Sequence, residues 1–279
     1  MSNKVRVLIT GANSGIGFYT ASELLKNGAD LILACRNYEK AKKARQDLLS
    51  LGCSGEVDIV PLDLNCLSSI KNSAEFIAAK YEYINVLINN AGIFGDKLFF
   101  TEDGYEQQFG VNYLGPFLLT HLLLPLLKKS NSGRIIHLSS VMHLLGKIDY
   151  KTFGKDLEKY SSIKAYGQSK LANILFSNSL SRKLEGTNIT SNSLHPGAVN
   201  SEIYRDLPKL QYLCLRPFLI SPSRPAKLIS SMALDVSWKN CNGKYVSAHL
   251  PNWQSNKSKS EELADEFYNY SLNLVKDFL

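Results

Sequence analysis

Tyr166 and Lys170 stand four positions apart in the run Tyr166-Gly167-Gln168-Ser169-Lys170. On a helix that spacing brings a phenol and an ammonium to one face. A cation beside a phenol favours the phenolate and equips the tyrosine to exchange a proton with a substrate oxygen. Any helical Tyr and Lys at this spacing meet the pattern, so it needs company. The run Thr10-Gly11-Ala12-Asn13-Ser14-Gly15-Ile16-Gly17 follows an apolar segment and opens a helical one. A glycine-rich turn there lets the backbone approach a pyrophosphate, and the helix N-terminus presents free N–H groups to it. Gly11, Asn13, Ser14, Gly15, Ile16 and Gly17 are the candidate phosphate-binding residues. Their GxxxGxG spacing separates the chain from the GxGxxG pattern of most two-domain dehydrogenases.

The next apolar run ends in Ala34-Cys35-Arg36-Asn37. Sites that prefer NAD usually place an acid here, to bond the ribose 2′-OH. An arginine can instead fork onto a 2′-phosphate that a carboxylate would repel. The expected cofactor is therefore NADP(H), with Arg36 as its discriminator. The plainer alternative is a surface arginine at a strand end.

Short apolar runs alternate with longer helical patterns along the chain. Val5–Thr10, Asp30–Cys35, Glu56–Pro61, Asn85–Asn89, Gly133–Ser139, Asn188–His195 and Gly243–Ser247 read as strands. Ile16–Asn27, Tyr38–Leu51, Leu67–Tyr81, Glu106–Lys129 and Ser162–Leu184 read as helices; Pro116 and Pro125 disturb the fourth. This alternation predicts an α/β fold: one Rossmann-type, doubly wound parallel sheet of about seven strands with helices on both faces. No linker, repeat or low-complexity segment interrupts it, so residues 1–279 are expected to form a single catalytic domain.

Composition narrows the function classes. The formal charge is +7, but Lys and Arg are scattered, which argues against a nucleic-acid platform. The five cysteines form no CxxC pair and the five histidines no HExxH pattern, so no metal is expected. The chain enters its first apolar run within a few residues of Met1, and Leu114–Leu127 is broken by Gly115, Pro116, His121 and Pro125. Neither a signal peptide nor a membrane span is expected, and a cytoplasmic location is.

Taken together the runs resemble the short-chain dehydrogenase/reductase family. Thr10–Gly17 is similar to its TGxxxGIG turn, Asn89-Asn90-Ala91-Gly92 to its NNAG, and Tyr166/Lys170 to its YxxxK. Asp63-Leu64 resembles the pair beside the adenine, Asn112 the family's helix asparagine, and His195-Pro196-Gly197 the turn beside the nicotinamide. Six motifs in order cover roughly Val5 to Ser201. The resemblance implies that Asp63, Leu64, Asn90, Ala91, Gly92, Pro196, Gly197 and Val199 join the cofactor site. It also implies a catalytic set of Ser140, Tyr166, Lys170 and Asn112. Tyr166 would exchange the proton while hydride moves between the substrate carbon and the nicotinamide. Ser140 would orient the substrate oxygen, Lys170 would hold the ribose, and Asn112 would position a water linking Lys170 to solvent.

The gap between Ser140 and Tyr166 is longer than in most members. Its extra segment, His143–Ile163, resembles the retinol dehydrogenase branch, as do the runs Ser169–Phe176 and Leu194–Gly197. Protochlorophyllide reductases share some of these features, but their large insertion near the C-terminal part is absent. The implied substrate is a small lipophilic, retinal-like carbonyl or its alcohol. The alternatives are a steroid or xenobiotic carbonyl, or a non-catalytic NADP(H)-sensing protein. The region 201–222, with Tyr204–Ile220 at its heart, resembles a substrate lid; amphipathic packing and peripheral membrane contact are the other readings. The family's habit implies a homodimer through Gly104–Lys129 and Ser162–Leu184.

Single residues keep plainer readings. Asn89 and Asn90 could simply end a strand, and Asp63 could cap the next helix. A Ser140–His195 hydrolase lacks an acidic partner and a GxSxG elbow.

Overall fold

Strands buried on both faces must be apolar almost throughout, and β1 (Arg6–Thr10) and β2 (Asp30–Cys35) are buried nearly end to end. In the computed structural model, which describes residues 4–155, 159–199 and 219–279, seven strands form one parallel sheet. Its order is β3-β2-β1-β4-β5-β6-β7. The remaining strands are β3 (Val57–Pro61), β4 (Val86–Asn89), β5 (Gly133–Leu138), β6 (Ile189–His195) and β7 (Tyr245–Ser247). In register Val7 faces Val86, Leu8 faces Leu87 and Ile9 faces Ile88.

Alternation along a strand sends neighbouring side chains to opposite faces. Leu8, Ile32, Leu87 and Ile135 enter one core, while Val7, Ile9, Leu33 and Ile88 enter the other. Each such side chain contributes about 1.5–3 kcal/mol by leaving water. The first core lies under α3 (Leu67–Lys80), α5 (Gly115–Lys128) and α6 (Ser162–Lys183). The second lies under α1 (Gly15–Lys26), α2 (Tyr38–Leu49) and α7 (Ser223–Leu234), which packs on α1.

The helix expected over Glu106–Lys129 is broken into three pieces. Glu106 starts it by accepting N–H bonds from Gln108 (3.0 Å) and Phe109 (2.7 Å). A short α4 (Gln107–Phe109) leads into a π-turn, Gly110–Leu114, before α5 begins. Pro116 has no N–H to return to the Asn112 carbonyl four residues back, and the ladder widens just before it. This region is the one described stretch long and apolar enough to cross a membrane, and most of it is buried inside the protein.

Sequence reasoning passed over α7, the four-residue α8 (Asn256–Lys259) and the C-terminal α9 (Glu261–Val275). Ser260 caps α9 by accepting the Leu263 N–H, and Glu261 and Glu262 complement its N-terminus. The helix lies along α6. Ser179 donates to Asp265 at 2.6 Å, Tyr113 and Ser271 share a hydrogen bond at 2.6 Å, and Phe267 stacks on Tyr113 at 4.9 Å. The α5 and α6 surface on which the resemblance placed a homodimer is thus covered in part by the chain's own C-terminus.

Candidate active site

The carboxyl end of β1 is where the sheet order reverses, and α/β folds bind ligands there. Gly11 turns the chain at φ 66°, a conformation that L side chains rarely adopt. Gly17 admits no side chain either, because a Cβ on it would lie 2.5 Å from the Gly11 carbonyl oxygen. The Thr10 hydroxyl accepts the N–H groups of Asn90 (3.0 Å) and Ala91 (2.9 Å), and the Asn90 amide donates to the Thr10 carbonyl at 2.8 Å. Asn90 therefore braces the glycine turn with its side chain, which its strand-end reading did not foresee. Ser14 precedes α1 in an extended conformation and makes no side-chain cap bond, so no side chain caps the helix N-terminus where it meets the cleft.

That cleft has a volume of ≈ 350 Å³. Its lining joins Gly11, Asn13, Ser14, Gly15, Ile16 and Gly17 to Arg36, Asp63, Leu64, Asn90, Ala91 and Gly92, and continues to Tyr166, Lys170 and Pro196. Residues distant in sequence, read separately from short motifs, thus share one wall. Asp63 does not cap the next helix: its carboxylate accepts the Asn65 N–H at 2.9 Å, and Asp103 takes the Leu67 N–H instead. Lys40 also lines the cleft beside Arg36. Sequence reasoning missed it, although it lies on the first turn of α2, four residues after Arg36. Among the described residues no carboxylate pairs with either cation. Two cations at this end, with no carboxylate bonded to them, suit a phosphate.

At the other end Lys170 is buried, and its ammonium donates to the Leu138 carbonyl at 3.1 Å and lies 5.4 Å from the Tyr166 ring. Burial pulls its amine down to about 8. Phe94 meets the Tyr166 ring edge to face at 5.3 Å. The two serines that follow β5 differ in their bonds. Ser139 lines the cleft, but its hydroxyl is donated to the Lys170 carbonyl at 2.7 Å and ties the strand to α6. The Ser140 hydroxyl accepts the Met142 N–H at 3.2 Å, which leaves it able to donate.

Asn112 sits behind the cleft wall, in the π-turn. Its side chain accepts the Ile93 N–H (2.7 Å) and donates to the Ile93 carbonyl (2.9 Å) and the Ser169 hydroxyl (3.1 Å). Gly197 and Val199 lie past Pro196, where Val199 bridges to Ile220. Most of the lid segment, residues 200–218, lies outside the described residues, as does the part of the His143–Ile163 insert at 156–158. His143 bonds the Ser140 carbonyl at 2.6 Å, not its hydroxyl. Burial, with His143 and His249 nearby, pushes His195 down to about 4. His195 is thus a neutral imidazole whose Nδ1 accepts the Gly197 N–H at 3.4 Å, and no Ser–His relay forms among the described residues.

The short chain dehydrogenase family model matches residues 5–211, which span the glycine turn, the Tyr166–Lys170 pair and the Pro196 turn. The chain belongs to this family. As a short chain dehydrogenase it is an oxidoreductase that acts on CH–OH groups or the corresponding carbonyls. It is 40% identical to retinol dehydrogenase 12 of Mus musculus over 96% of this chain and 85% of that one. It is 39% identical to retinol dehydrogenase 13 of Homo sapiens, over 96% and 84%, so it falls in the retinol dehydrogenase-like branch. Among solved structures it resembles an uncharacterized protein from Mycobacterium paratuberculosis, with TM-score 0.79, 33% identity, and 98% and 93% of the two chains covered. The Pseudomonas aeruginosa RhlG/NADP active-site complex shares the fold at TM-score 0.71 and 24% identity, over 87% of this chain and 94% of that one.

Proposed function

We propose that this short chain dehydrogenase uses NADP(H) to interconvert a lipophilic, retinal-like carbonyl and its alcohol, with Tyr166 as the proton-transfer residue. One observation carries the reading. A single cleft runs from a pair of cations, Arg36 and Lys40, to a tyrosine and a buried lysine.

The residues present fit the cofactor. The glycine turn clears a path for a pyrophosphate and presents the α1 N-terminus to it. Arg36 and Lys40 would hold the 2′-phosphate, and Asp63 and Leu64 would flank the adenine. NADPH bound there supplies a hydride at its nicotinamide. Tyr166 gives its phenol proton to the substrate oxygen in reduction and takes it back in oxidation. Ser140 donates a hydrogen bond to the same oxygen and orients it. Lys170 would hold the ribose, and its charge favours the phenolate. Asn112 keeps the Ile93 backbone and Ser169 in place around them. Phe94, against the Tyr166 ring, gives the substrate an apolar neighbour suited to a lipophilic carbonyl.

The chain is read as acting on a small substrate without nucleic acid or metal, and as cytoplasmic, with any membrane contact peripheral. A homodimer through α5 and α6 would pack beside α9, which covers part of that surface.

Arg36→Asp tests the cofactor assignment. Losing a charge-assisted pair and adding a repelling carboxylate should weaken NADPH binding by roughly 10–100-fold. NADH binding should change far less, as calorimetry with both nucleotides would show. Equal losses for the two would remove the 2′-phosphate contact.

A further inference from the structure

Asn173 is an asparagine in the middle of α6, three residues after Lys170, and is only 3% exposed. Asparagine is a poor helix former, and burying its amide is unfavourable unless hydrogen bonds replace water. Here both amide protons leave the helix. One goes to the Asn112 carbonyl and the other to the Leu138 carbonyl, each at 3.1 Å. Both acceptors have special positions. Asn112 lacks the helical N–H that Pro116 cannot supply. Leu138 is the last residue of β5, and its carbonyl also receives the Lys170 ammonium at 3.1 Å.

We propose that Asn173 is a positioning residue of this active site, whose amide holds the Asn112 turn and the Leu138 strand end in register and thereby fixes Lys170 against Tyr166. The inference rests on the catalytic reading given above. Two routes carry the effect. The Leu138 carbonyl is shared by an amide and an ammonium, so a shift of that carbonyl moves the ammonium. The Asn112 turn reaches Tyr166 through Ser169, whose hydroxyl accepts from Asn112 and donates to the Tyr166 carbonyl at 2.8 Å. Tyr166 is the titratable side chain in contact with Lys170, and no carboxylate contributes to the lysine's ionisation.

The test uses the full chain with Asn173→Leu, which keeps bulk but removes the donors, and Asn173→Asp, which keeps shape and adds charge. Three readouts apply: kcat, NADPH affinity by calorimetry, and the ionisation of Lys170 in the cofactor-free protein, followed by NMR of ¹³C-labelled lysines. Asn173→Leu should lower kcat by about 10–100-fold while NADPH affinity stays within about three-fold. Asn173→Asp should raise the Lys170 ionisation by about one pH unit, because a carboxylate now faces the ammonium's own acceptor. If Asn173→Leu does not fold, Asn173→Ser, smaller and with one donor, should show the same kcat loss in its folded fraction. A kcat within about two-fold of wild type, with Lys170 titrating unchanged in Asn173→Asp, overturns the proposal and leaves Asn173 a packing residue that affects only the melting temperature. A wild-type protein without turnover would refute the catalytic reading instead, and the lysine titration would still decide the role of Asn173.

Discussion

Tyr166→Phe should lower kcat for carbonyl reduction by about 10²–10⁴-fold, the contribution expected of a positioned general acid. The substitution removes one hydroxyl and keeps the ring that Phe94 and the Lys170 ammonium contact. NADPH affinity should therefore change little, and the loss should appear in kcat and in kcat/KM alike. Steady-state kinetics beside calorimetry separate the two effects. A Phe variant with near-normal turnover would mean that another group transfers the proton. Ser140 would be the first to examine, since its hydroxyl can still donate.

Lys170→Met should stabilise the cofactor-free protein while abolishing most activity. The folded amine titrates at about 8, well below the ordinary 10.5, and burial is the cause. The unfolded chain keeps this proton up to the ordinary value. Between those two pH values it binds more protons than the folded state, so this group makes stability rise with pH across that window. Below about 8 the full penalty of a buried ammonium applies, on the order of 3 kcal/mol. Methionine removes the charge but leaves the Leu138 carbonyl with only Asn173 as donor, which returns about 1 kcal/mol of the gain. The net is about 2 kcal/mol at pH 7, a rise of about 4 °C in melting temperature that shrinks as pH approaches 10. Thermal melts of both proteins from pH 7 to 10 check the size and the direction. A methionine variant that melts lower at pH 7 would show that the folded protein tolerates the ammonium without strain.

The centre of the sheet was legible because β1, β2 and β4 are buried on both faces and so spell nearly unbroken apolar runs; each of the seven strands is found within two residues of its expected bounds. The glycine turn and the Tyr166–Lys170 pair were legible because their chemistry demands fixed spacing. What escaped was set by contacts that no local pattern encodes. Lys40 joins Arg36 only because α2 begins at the strand end and turns its first residues into the cleft. The break at Asn112 follows from Pro116, whose effect on the helix was foreseen but not placed. The choice of Ser140 over Ser139 came from the family resemblance, and the bond from Ser139 to the Lys170 carbonyl is a difference that no local pattern encodes. The helix α9 carries local signals, its Ser260 cap and the two acids after it, but nothing in them says which face of the protein it will cover.

NADPH consumption by the purified protein against retinal, medium-chain aldehydes, aromatic carbonyls and ketosteroids tests the oxidoreductase activity and its substrate class together. Turnover should be fastest with retinal or another lipophilic aldehyde and should be lost in Tyr166→Phe. No consumption across the panel, by a protein that still binds NADPH in calorimetry, would contradict the retinal-like substrate assignment.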